Sequence, residues 1–189
     1  MRMISQLILK IIGWKLDKQL PQTQRYVLIA YPHTSNWDFV LGMLAKWAMD
    51  MPLNWVGKHS IFWGPFRPLL IAIGGVPLNR EKSIGFIQKN IELFDQRECF
   101  VLGLMPEGTR SKTDHLKTGF YHIARGANVP IVLAYLDYKH KRIGVGKVIE
   151  ASGDIDVDFE IISEFYRDKT GCKPENASEL RIKTVDKTR

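Results

Sequence analysis

Cysteine is scarce in this chain of 189 residues: Cys99 and Cys172 are all it has. They lie far apart and match no metal-ligand spacing, which excludes a disulfide scaffold and a zinc module. Both are read as free thiols of a reducing compartment, and Cys99, which opens an apolar run, is expected to be buried. Long hydrophobic runs are missing too. The most apolar stretch, Ile61 to Pro77, carries Arg67 and prolines at 65, 68 and 77, so no segment is expected to span a bilayer. Lys10 breaks the apolar N-terminal region and no small-residue cleavage site follows, so no signal peptide is expected. Asp154, Asp156 and Asp158 alternate with Ile155 and Val157. They lack the glycine and terminal glutamate of a calcium loop and are read as a solvated strand face, with no metal site. Gly144-Val145-Gly146-Lys147 is no phosphate loop, because its first glycine stands too close to the lysine. Repeats, low-complexity runs and linkers are absent.

What is present describes a folded protein. Hydrophobic residues make up 45% and charged residues 25% of the chain, which is globular rather than disordered composition. The length suits one domain. A net charge of +7 points to an anionic partner, either nucleic acid or a membrane surface. Nucleic acid is disfavoured, since no binding motif occurs and the aromatics are interleaved with aliphatics rather than with basic residues.

The hydrophobic periods predict an α/β single domain: a mostly parallel central sheet flanked by helices, preceded by an N-terminal amphipathic helix. Over residues 2–18, Met3, Ile4, Leu7, Ile8, Ile11 and Ile12 recur at three- and four-residue spacing among Arg2, Lys10, Lys15 and Lys18. Such a helix can lie in the headgroup plane or pack on the domain's own core. Its terminal position, basic flank and Trp14 favour the membrane. The chain is therefore divided into a membrane-association helix, 1–20, and the α/β domain proper, 21–189. Strands are expected over 26–31, 52–58, 100–105 and 129–136, with a strand or hairpin over 139–149. Helices are expected from 39 to 47 and over 83–96, 119–126, 159–170 and 175–183. Residues 59–73 are aromatic and aliphatic; they read as core, with the wall of an apolar channel as the alternative.

Between the first strand and the first internal helix stand His33-Thr34-Ser35-Asn36-Trp37-Asp38. Pro32 ends the strand for want of an N–H, and Ser35 or Asn36 can cap the helix. Residues five apart share no face of a continuous helix. A turn at Thr34-Ser35 would instead let Asp38 reach back to the imidazole of His33. A carboxylate on one ring nitrogen fixes the tautomer and leaves the other nitrogen free as a base. Taken alone, such a pair reads as a strand-end histidine and a helix-capping aspartate.

Three later stretches change that reading. Gly75-Val76-Pro77-Leu78-Asn79-Arg80, Glu107-Gly108-Thr109-Arg110 and Val129-Pro130-Ile131-Val132 follow the His33-x4-Asp38 pair. Together they resemble, in order, the four blocks of the glycerolipid acyltransferase family, which includes 1-acylglycerol-3-phosphate O-acyltransferases. The resemblance runs from about Tyr26 to Leu136. It implies transfer of a fatty acyl group from acyl-CoA or acyl carrier protein, as co-substrate and with no cofactor, to the hydroxyl of a lysophospholipid such as 1-acylglycerol-3-phosphate. A peripheral enzyme on the cytoplasmic face of an anionic membrane is the corresponding expectation.

In that resemblance His33 is the general base and Asp38 holds it, while Arg110 with Glu107, Gly108 and Thr109 grips the acceptor's phosphate and Arg80 helps there. Glu107 and Arg110 could equally form a structural ion pair. Lys58 and Lys117 either add positive field or are solvated surface lysines. Pro32 stands where the family often has asparagine, and Leu133 where the fourth block carries its second proline. A thioester hydrolase and a non-catalytic basic lipid-binding module are the alternative functions.

Overall fold

The structure, a computed structural model, describes residues 1–78 and 83–183. Arg80 and the extreme C-terminus lie outside the described residues. The seven strands are β1 (Lys15–Lys18), β2 (Arg25–Tyr31), β3 (Leu53–Lys58), β4 (Gly75–Leu78), β5 (Phe100–Leu104), β6 (Ile131–Asp137) and β7 (Arg142–Ile149). They form one sheet in the order β1-β7-β6-β2-β5-β3-β4. Every neighbouring pair is parallel except β6 with β7, an antiparallel hairpin. The mostly parallel sheet is thus confirmed.

Strand alternation sorts side chains between two layers. Val27, Ile29 and Tyr31 point to the layer of α4 (Ser83–Gln96), α5 (Gly119–Gly126) and α6 (Ile155–Tyr166). Leu28 and Ala30 point the other way. That second side carries α1 (Arg2–Ile11), α2 (Trp37–Met49), a 3-10 turn at His59–Phe62 and the short α3 (Arg67–Ala72). Leu9 of α1 packs with Leu41, Ala45 and Ala48 of α2 over Leu136 and Ile143. Phe62 stacks on Trp55 of β3, and Trp55 meets Phe39 of α2 edge-on.

Several expectations are corrected. The N-terminal helix stops at Ile11, not residue 18, because Gly13 takes a positive φ of 80° and turns the chain into the edge strand β1. Cys99 is exposed, sitting in the turn before β5 rather than in it. Asp154, Asp156 and Asp158 open a helix instead of lining a strand. The Asp154 carboxylate accepts N–H bonds from Asp156 and Val157 as the N-cap of α6, and acidic side chains favour a helix's positive end. Asp158 is buried, accepting from the Tyr121 hydroxyl at 2.7 Å. Residues 175–183 hold no long helix. Pro174–Asn176 makes one 3-10 turn, and the chain then runs extended to a parallel bridge between Leu116 and Ile182. Finally, much of 59–73 is surface: Phe62 is buried, but Ile61, Trp63, Phe66, Leu69 and Ile71 are exposed.

Candidate active site

β2 and β5 are adjacent and parallel, so their carboxyl ends open side by side. His33 lies two residues beyond β2, and Glu107 three beyond β5. Open α/β sheets place their sites at this edge. Tyr31-Pro32 is a cis peptide, and His33 follows it directly.

Asp38 is the centre of the arrangement. It sits in the first turn of α2, fully buried at 0% exposure. Its Oδ2 accepts from the backbone N–H of Thr34 at 2.7 Å and of Ser35 at 2.8 Å, and lies 3.1 Å from His33 Nδ1. Its Oδ1 accepts from the Tyr138 hydroxyl at 2.7 Å. Only an ionised carboxylate offers acceptors alone to so many donors. Burial by itself would raise the Asp38 carboxyl; the hydrogen bonds from His33, Tyr138 and Ser35 outweigh it and hold the group below the usual aspartate range. Its partner ring atom is Nδ1, so Nε2 is left for chemistry.

The backbone N–H of Thr34 and Ser35 would be orphans ahead of a helix start. Asp38 satisfies them from inside the helix. Ser35 Oγ accepts from Trp37 N–H at 3.2 Å, whereas Asn36, at the cap position, makes no side-chain cap.

Glu107 is 1% exposed, and its carboxylate is occupied by backbone donors. His33 N–H donates to Oε1 at 2.5 Å and Ser178 N–H to Oε2 at 3.0 Å. Burial pushes this carboxyl up, more than these donors pull it down. The same burial, together with the Glu107 charge, raises the Tyr31 hydroxyl to about 12. The expected ion pair with Arg110 is not among the described contacts; Arg110 instead donates to Asn36 Oδ1. Gly108 has a φ of 65°, and a Cβ there would lie 3.0 Å from Lys117 Nζ, so the turn requires glycine and seats Lys117 beside it. Thr109 Oγ1 accepts from Ser111 N–H at 3.4 Å.

Beside the histidine turn is a cleft of about 400 Å³ lined by Thr34, Ser35, Asn36, Trp37, Arg110, Lys173 and Asn176. Lys58 lies apart from it, exposed at the end of β3. Among the described residues no group of His, Cys, Asp or Glu could hold a metal.

Tyr138 and the C-terminal segment went unnoticed in the sequence. The segment is a strap across the carboxyl edge of the sheet. Lys173 N–H donates to Thr34 Oγ1 at 3.1 Å, Ser178 binds Glu107, and the Tyr31 hydroxyl donates to the Ser178 carbonyl at 2.8 Å. None of these has a local signature, since each partner is 71 or more residues away.

An open, mostly parallel sheet with a carboxylate-held histidine at one strand end and an arginine-lined cleft beside it defines the class: an α/β domain with a candidate acid–base site at the carboxyl edge of its sheet. The chain belongs to the acyltransferase family, whose description, Acyltransferase, matches residues 14–136. It is 30% identical over 162 residues to the 1-acyl-sn-glycerol-3-phosphate acyltransferase of Haemophilus influenzae, covering 78% of this chain and 66% of that protein. With the protein of the same name from Escherichia coli K12 it shares 32% identity over 123 residues, 61% of this chain and 49% of the relative. The chain thus spans between about half and two thirds of the length of these relatives. The crystal structure of the 1-acyl-sn-glycerophosphate (LPA) acyltransferase PlsC from Thermotoga maritima superposes with a TM-score of 0.58, over 88% of this chain and 76% of that one. Identity there is 13%, so this likeness is one of fold.

Proposed function

We propose that the protein transfers a fatty acyl group from a thioester donor to the hydroxyl of a lysophospholipid, most simply 1-acylglycerol-3-phosphate. The observation that carries this reading is the His33–Asp38 pair, with Nδ1 occupied and Nε2 left as a base. His33 Nε2 takes the proton of the acceptor hydroxyl. The oxygen attacks the thioester carbonyl carbon, and a tetrahedral intermediate forms. The C–S bond then breaks, and the imidazolium returns its proton to the departing sulfur. Asp38 stabilises the imidazolium in between. No acyl-enzyme is required.

The acceptor's phosphate fits the cleft beside that histidine. Arg110 supplies a planar guanidinium suited to phosphate, and Lys173 and the first residues of α2, whose N-terminal end is positive, line the same cleft. Glu107 acts through the backbone, fixing the residue-33 turn rather than touching substrate.

Its place of work is a membrane surface. α1 is seated on α2 through Ser5 and Leu9 yet turns Met3, Ile4, Leu7 and Ile11 outward, an apolar outer face that suits the headgroup region. No helix of the described residues is long and apolar enough to cross a membrane.

The test is a lipid-product analysis of the purified protein given an acyl-CoA, or acyl carrier protein, and mixed lysolipids. A diacyl product formed from the phosphate-bearing acceptor supports transfer. Free fatty acid released at the same rate without any lysolipid would make the protein a hydrolase instead.

A further inference from the structure

The large apolar side chains that remain exposed are not spread evenly. α1 with its flanking Met1 and Ile12, together with α2, contributes ten of them, including Met3, Leu7, Ile11, Trp37 and Phe39, and the stretch after β3 contributes five. The α4–α5–α6 layer shows only Val157 and Ile161 among the described residues. In the stretch after β3, Trp63 is 83% and Phe66 68% exposed, with Ile61, Leu69 and Ile71 open beside them. Fifteen exposed large hydrophobics on one helical layer exceed what scattered surface apolars explain.

Charge follows the same layer. The first 80 residues hold nine Lys and Arg against three Asp, and no acidic residue occurs between Met51 and Arg80. Nearly all of the net +7 therefore resides in this part of the chain. Lys58, His59 and Arg67 are exposed around the aromatic stretch. Its anchorage is firm: Phe62 is buried on Trp55, and Lys46 of α2 donates to the Ile73 carbonyl at 2.6 Å. Trp, Phe and Leu projecting beside Lys58, His59 and Arg67, from a stretch with no acidic residue, match an anionic bilayer interface rather than a protein patch.

We propose that the stretch from His59 to Ile73 is a second bilayer-inserting element, which with α1 seats the α1–α2–α3 layer on an anionic membrane. The proposal rests on the reading of the protein as a surface enzyme only for its setting, not for its chemistry. Seated in this way, the layer sets the cleft's mouth at the interface, because Trp37 both lines the cleft and is exposed on the layer. A lysolipid could then enter without leaving the bilayer.

The experiment is co-sedimentation of the full chain with phosphatidylcholine vesicles, with and without phosphatidylglycerol. Wild type is compared with Trp63→Glu/Phe66→Glu and with a Leu7→Glu change in α1. Each glutamate replaces an exposed side chain, so the unfolding midpoint should stay put. Binding to anionic vesicles should fall about tenfold or more in the double variant, and further when the changes are combined. Transfer between water-soluble short-chain substrates should be unchanged. Loss of binding in a protein that shows no acyl transfer would leave this proposal standing and remove the enzymatic reading. Wild-type binding by the double variant would overturn the proposal. So would retained binding with an altered acyl-chain preference, which would make the stretch a channel wall, or loss of a solution dimer in place of vesicle binding.

Discussion

At the scale of single residues, the site depends on one buried carboxylate with four donors around it. His33→Ala should lower kcat/KM about 100- to 10,000-fold, the range of a general base, and should destabilise by about 1–3 kcal/mol, because it takes one donor from the buried Asp38 carboxylate. Asp38→Asn should cost less than that in rate, yet more in stability, because an amide turns an acceptor into a donor facing one of those four donors. Tyr138→Phe removes one donor at 2.7 Å and should destabilise by about 1–3 kcal/mol, with a smaller rate effect than Asp38→Asn. Steady-state kinetics beside chemical unfolding would read all three. Arg110→Ala should mainly raise KM for phosphate-bearing acceptors; equal slowing of neutral and phosphorylated acceptors would contradict a phosphate role.

The site's two buried carboxyls, Asp38 and Glu107, respond to pH in opposite directions. Asp38 is held below its ordinary value. Its stabilisation is therefore present above the unfolded aspartate pKa of about 3.9 and is lost as pH falls through the folded value. Glu107 is raised. Its contribution is complete below the unfolded glutamate pKa of about 4.3 and is lost as pH rises through the folded value. In urea titrations from acid to neutral pH, the penalty of Asp38→Asn should therefore grow while that of Glu107→Gln shrinks. Parallel trends would contradict these environments.

At the scale of elements, the sequence was legible where period and punctuation agreed. Val27 to Tyr31 and Ile131 to Leu136 are buried on both faces of a parallel sheet and read as unbroken apolar runs. α5 fell where its apolar spacing placed it. The failures have physical causes. Alternating Asp and apolar residues at 154–158 obey a period of two, but the first carboxylate caps a helix and helix capping overrides so short a pattern. Asp154→Ala should cost about 1 kcal/mol and lower the unfolding midpoint by about 2–4 °C. Residues 59–73 read as core because composition does not say which side of a helix meets water. The strap from Gly171 to Lys183 was illegible because its bonds to Thr34, Glu107 and Tyr31 depend on long-range topology.

At the scale of the whole molecule, the two helical layers have divided their tasks. The α4–α5–α6 layer closes the larger core, in which Tyr166 donates to the carbonyls of Ile29 and Ala134. The opposite layer keeps a smaller core and presents apolar and cationic side chains outward. Binding to anionic vesicles should accordingly weaken steeply with salt, since each Lys or Arg near such a surface contributes about 1 kcal/mol and exposed charges are screened. A salt-independent affinity would show that the cations play no part.

The central chemical claim is that His33 activates the acceptor hydroxyl. It is tested most directly by following thiol release from an acyl-CoA, with and without lysophosphatidate, for the wild type and His33→Ala. Release that requires the acceptor and falls at least about 100-fold in the variant, measured where both proteins are fully folded, is the expected result. Acceptor-dependent release at an undiminished rate in His33→Ala would contradict it.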